Sequence, residues 1–152
     1  MGKNPKIEWL MRYQNLLRES DNREDRLARL INEQYIPATR ESDGSKRNPG
    51  ANDRMGNATI RRMEYEEKTK QRAHERQQEM DAIFFAIEEI PDPLEREVLR
   101  LRYIDGRKGY RLMLWREVAL KMYQDDDEAA LQAVYRLHGR ALQSLVMEEL
   151  TE

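Results

Sequence analysis

Between residues 91 and 145 apolar side chains recur at helical spacing in three successive runs, and each run has only one face to bury. In the first, IPDPLEREVLRLRYI, Asp92 is placed to cap a helix, Pro93 fits the first helical position, and Glu95 stands where a capping box would use it. Leu94, Val98 and Leu101 follow at i, i+4 and i+7 with Leu99 beside them, and Asp105-Gly106 marks the stop. In the second run, WREVALKM, Trp115, Val118, Ala119 and Met122 form a stripe. The third, ending AVYRLHGRALQSL, repeats Ala130, Ala133, Val134, Leu137, Ala141 and Leu145, and turns Gln132, Arg136, Gly139 and Gln143 the other way. Such short amphipathic helices must pack on one another.

The N-terminal half is also helical in pattern. Residues 7–17 carry Ile7, Leu10, Met11 and Leu17 broadly on one side, widened by Trp9, Tyr13 and Leu16. A second helix is expected from a cap at Asp21 with Glu24 three residues on, placing Leu27, Leu30 and Ile31 on one face. From 37 to 56 the composition turns to Gly, Pro, Asn, Ser and charge, which predicts a flexible loop or linker. Asn57 or Thr59 then opens a long helix to about Ile90, polar from Glu64 to Glu79 and amphipathic at its end through Met80, Ile83, Phe84 and Ile87. The expected fold is all-α: an N-terminal helical hairpin (1–36), a linker (37–56), a long central helix (57–90) and a C-terminal three-helix domain (91–152). A polar shaft with nothing apolar to bury bridges solvent or pairs in an oligomer, so the N-terminal half is where a homodimer or homo-oligomer would form.

The chain has 152 residues, of which 39% are apolar and 37% charged, a high charge for a compact globule. It has no cysteine, which excludes disulfides and thiolate metal sites. No run approaches the ~18 apolar residues of a membrane span, and the N-terminus lacks a continuous apolar stretch. A cytoplasmic protein with no membrane partner is expected. Net charge is −2, and residues 92–152 carry 10 basic against 12 acidic side chains, so any polyanion-binding face must arise by local segregation of charge.

Several residue groups have a plainer reading beside a functional one. The acidic run Asp125, Asp126, Asp127 and Glu128 suits the N-terminus of the third helix, where carboxylates complement the helix dipole; it lacks the glycine and terminal glutamate spacing of a calcium loop. His74 and His138 have no ligand-spaced partners and read as surface or packing histidines. Trp115 begins an apolar stripe and is expected in the core. Gly139 weakens its helix or admits a close backbone approach. No glycine-rich phosphate loop, nucleophile motif or paired-carboxylate setting is present, so no enzyme, cofactor or metal is expected.

The segments LEREVLRLRY, W-x-E-V-A and VYRLH-x-RAL, in that order over about a third of the chain, resemble the C-terminal promoter-reading domain of bacterial sigma factors, a sigma region 4-like helix-turn-helix. The layout around it is similar to phage and prophage late-gene regulators of the ArpU and RinA type. The resemblance implies that the third helix enters the major groove of double-stranded DNA, with Leu131, Gln132, Tyr135 and Arg136 at the matching positions. In that frame Arg136 suits guanine, Gln132 suits adenine, Leu131 and Tyr135 supply apolar contact or a hydroxyl, and Arg140 holds a phosphate. The implied role is transcriptional regulation, with RNA polymerase as a further partner.

Two features depart from that pattern. From Ala119 to Val134 the chain is roughly five residues longer than the family's usual turn, the excess being Asp125–Glu128, whose charges repel phosphates. An insertion, GRKGYRLML, lies between the first two helices, where Arg107, Lys108 and Arg111 are placed to restore phosphate contacts. Two other readings of the same helices stand beside the regulator: a phage assembly or DNA-packaging component of small-terminase type, and a sigma-mimicking protein that binds polymerase.

Overall fold

The computed structural model describes residues 4–35 and 50–147. Among these the protein is all-helical, with α1 at Pro5–Tyr35, α2 at Gly50–Glu88, α3 at Pro93–Leu99, α4 at Trp115–Tyr123 and α5 at Glu128–Ser144. α3 continues as a π-helical segment, Arg100–Asp105, which ends at Gly106. The chain divides into two compact units: Met1–Arg18 with Arg76–Glu152, and Glu19–Glu75.

The expected break at Asp21 is absent, because α1 runs on as a single helix and the hairpin does not lie within residues 1–36. No glycine or proline interrupts this stretch, and Asp21 is helical rather than capping. In the unit 19–75 the second arm is α2, running antiparallel: Arg23 Nε donates to Thr69 Oγ1 at 2.7 Å, and Arg61 pairs with Glu33 at 2.8 Å. Leu30 and Ala58 are buried there, so the polar shaft of α2 finds its neighbour in the same chain. Ile31 stays exposed. α2 also starts earlier than expected, at Gly50 instead of Asn57 or Thr59, so 50–56 is helix and not linker; the rest of the expected linker, 37–49, lies outside the described residues.

In the other unit one continuous core joins α1, the end of α2 and the C-terminal helices. Trp9, Leu10 and Leu16 meet Met80, Ile83 and Ile87, together with Val98, Leu99, Val118, Val134, Leu137 and Leu145. Met11, expected on the apolar side of α1, is exposed. The α3 start follows the sequence reading in part: Asp92 accepts the Leu94 N–H at 2.9 Å and Pro93 opens the helix. Glu95 does not complete a capping box. It is buried and accepts the Ser144 hydroxyl, tying α3 to the end of α5, while Leu94 is left 49% exposed.

The end of the π segment needs two other residues. Gln14, buried on α1, donates through Nε2 to the carbonyls of Tyr103 at 3.0 Å and Ile104 at 2.7 Å. Gly106 sits at φ +57°, and a Cβ there would stand 2.5 Å from the Arg111 carbonyl and 2.9 Å from Gln14 Nε2. Beyond it residues 106–114 form a tight turn closed by the Arg107–Arg111 backbone pair, with positive φ at Gly109 and Tyr110.

Candidate nucleic-acid interface

α4 and α5 pack on each other and are joined by four residues, 124–127. Gln124 closes α4 in the left-handed conformation, its N–H bonded to the Leu120 carbonyl. Asp125 accepts the Asp127 N–H at 3.1 Å, and Asp127 caps α5 by accepting the Ala130 N–H at 2.8 Å. The acidic run is therefore capping chemistry rather than an extended loop, and the join is no longer than the ~3–4 residues of an ordinary helix-turn-helix turn.

α5 buries Ala130, Val134, Leu137, Ala141 and Leu142. One helical turn is about 3.6 residues, so Gln132, Arg136 and Arg140 fall on one outward face, and all three are exposed, as is Gln143. Tyr135 is 43% exposed, its ring edge against Trp115 with centroids 5.4 Å apart. Leu131 is half-buried against the core, which leaves it less of its surface to offer a ligand.

The basic residues of 106–114 divide. Arg107 Nε lies 3.4 Å from Glu117 Oε1, which fastens the turn to α4. Lys108 and Arg111 are exposed. Arg116 and Lys121 on α4, which the sequence reading passed over, are exposed too; the α4 stripe that buries Val118 and Ala119 was the signal for them. Lys108, Arg111, Arg116, Lys121, Arg136 and Arg140 make no ion pair among the described residues, whereas Arg96, Arg100 and Arg102 are bonded internally. Within residues 92–147, the exposed cations without an ion pair among the described residues thus belong to the 106–114 turn, α4 and the outer side of α5; Arg26, Arg29, Lys68, Lys70 and Arg72 of α1 and α2 are exposed without one as well.

Behind α5 lies a polar aromatic cluster. Tyr103 and His138 are hydrogen-bonded, Trp115 meets the His138 ring edge-on at 4.8 Å, and the Arg102 guanidinium covers Trp115 at 4.1 Å. Trp115 is half-buried and packs against the core, as its place in the stripe predicts. Burial, and after it the nearby Arg102 charge, lower the His138 pKa from 6.5 to about 4, so the ring is neutral. Burial also raises Tyr103 and lowers Arg102. Among the described residues no group of three or more His, Asp or Glu could hold a metal, and no helix is long and apolar enough to cross a membrane.

No protein-family model, curated protein or solved structure matches this chain.

The arrangement has a definite chemical capacity. Gln132 and Gln143 offer paired donor and acceptor groups, and Arg136 and Arg140 offer forked donors with no internal acceptor. Guanidinium and amide groups spaced along one exposed helix face match the acceptor pattern of base edges and phosphates.

Proposed function

We propose that the protein is a DNA-binding transcriptional regulator of phage or prophage type, reading a specific double-stranded site with α5 laid in the major groove. The observation that carries this reading is the outer face of α5, where Gln132, Arg136 and Arg140 are exposed and without a partner among the described residues while the neighbouring acid Asp127 caps the helix. The sigma region 4-like order of the three C-terminal helices supports it. In this reading Gln132 and Arg136 contact bases, Tyr135 lines the contact, and Arg140, Lys108, Arg111 and Arg116 hold phosphates. Leu131 contributes only the part of its side chain left uncovered. The protein acts in the cytoplasm of a bacterial or phage-infected cell and regulates by touching RNA polymerase from its bound site; pairing of two copies would give it two half-sites.

The test is capture of fragmented source-genome DNA by the purified chain at near-physiological salt, repeated with Arg136→Ala. Enrichment of one or a few sites that disappears in the variant supports the reading. Absence of any enriched site rejects it and leaves the three helices as a protein-interaction scaffold.

A further inference from the structure

Phe85 and Val146 are the most exposed large apolar side chains of the described residues, at 58% and 72%. Both line one groove of about 320 Å³, floored by the small residues Ala82 and Ala86 and edged by Gln78, Asp81 and Glu89. Phe85 is outside the core because α2 turns Ile83, Ala86 and Ile87 inward, and among the described residues the one ring it meets is the edge of Phe84 at 5.5 Å. An exposed aromatic beside a groove is what interfaces are enriched in, and an apolar patch rimmed by polar groups marks a binding surface.

The rim says what kind of partner fits. Asp81 and Glu89 stand four residues before and after Phe85, one turn to each side on the same face, with Glu88 beside Glu89. Asp81 accepts from Gln77 Nε2 at 2.9 Å, Glu88 and Glu89 make no ion pair among the described residues, and none of the described residues lining the groove is Lys or Arg. Nucleic acid is repelled by this rim. A second copy docked by a twofold axis would bring the same carboxylates face to face, which costs rather than stabilises.

We infer that the Phe85–Val146 groove is a docking site for a protein segment that inserts one large apolar side chain flanked by Lys or Arg about one turn to either side. The apolar residue fills the space between Phe85 and Val146 above Ala82 and Ala86, and the flanking cations meet Asp81 and Glu89. The groove lies just past the C-terminal end of α5, beyond the residues assigned to DNA, and the inference does not rest on that assignment.

A displayed library of helical peptides, panned against the full chain without DNA and counter-selected against Phe85→Ser, tests it. The expected result is enrichment of peptides with an apolar residue between basic ones, binding at least tenfold more weakly to Phe85→Ser and to Asp81→Asn/Glu89→Gln, and weakening with salt. Phe85→Ser should melt with the parent, since the side chain is largely in water. Peptides that bind both chains equally, enrichment of acidic or uncharged sequences, or no enrichment would each overturn the inference. So would a self-associated chain that Phe85→Ser converts to monomer.

Discussion

The Tyr103 hydroxyl and His138 Nε2 lie 2.8 Å apart, joining the π segment to α5 across 35 residues of sequence. The bond forms with a neutral imidazole, whose pKa is depressed to about 4. The unfolded chain takes up a proton near 6.5 that the native ring refuses, so this contribution is complete above about pH 6.5 and is lost as pH falls toward 4. Because part of the ring meets solvent, its size is about 2 kcal/mol rather than the ~3 kcal/mol of a fully enclosed ring. Urea unfolding at pH 7 and pH 5 should show a larger loss for the parent than for His138→Gln. A His138 resonance titrating near 6.5 in the folded protein would contradict this.

Gly106→Ala should destabilise the protein by at least about 2 kcal/mol, because the new methyl meets a backbone carbonyl at 2.5 Å and the residue must hold φ +57°. Gly139→Ala, in open space on the outside of α5, should instead stabilise by about 1 kcal/mol. Thermal melts of the two variants against the parent decide both.

Gln14→Leu leaves the Tyr103 and Ile104 carbonyls without their donor and should cost about 1–3 kcal/mol. Hydrogen exchange would show the loss concentrated at residues 100–106 if the amide holds that segment, and spread along α1 if it does not.

Two neighbouring acids should behave differently. Asp127→Ala removes the α5 cap and lowers stability by about 1 kcal/mol. Asp126→Asn replaces an exposed acid that accepts no such bond; it should leave the melting point unchanged and, on the proposed DNA-binding reading, tighten binding to DNA. An unaltered DNA affinity would place the turn away from phosphates.

If α5 reads DNA as proposed, Arg136→Ala should cost about 1–3 kcal/mol at the selected site and relax discrimination, whereas Arg116→Ala should weaken all sequences alike and reduce the salt slope by about 1. Affinity measured on specific and scrambled duplexes over a range of salt separates the roles. Reversal of the two patterns would move base reading from α5 to α4.

Local signals were readable where neighbours in sequence complete one another. Asp92 with Pro93, Gly106 after Asp105, and the carboxylates before α5 each act within a few residues, and each marks a helix end. The outer row of α5 was legible for the same reason. Features set by distant partners were not. Asp21 has the chemistry of a cap, yet α1 passes through it; Glu95 has the spacing of a capping box, yet its partner is Ser144, 49 residues on. The Tyr103–His138–Trp115 cluster, and the fastening of Arg107 to Glu117, likewise depend on how the helices pack.

The π-helical stretch Arg100–Asp105 holds one residue more than the same rise of α-helix would need. Deleting a single residue inside α4 or α5 turns everything beyond it by about 100°, carrying the buried stripe to the outside. A deletion within 100–105 would tighten that wide turn, but it would also move Tyr103 off His138 and carry the Tyr103 and Ile104 carbonyls away from Gln14. The added residue is therefore gripped from α1 on one side and α5 on the other, and is no more expendable than those of the paired helices.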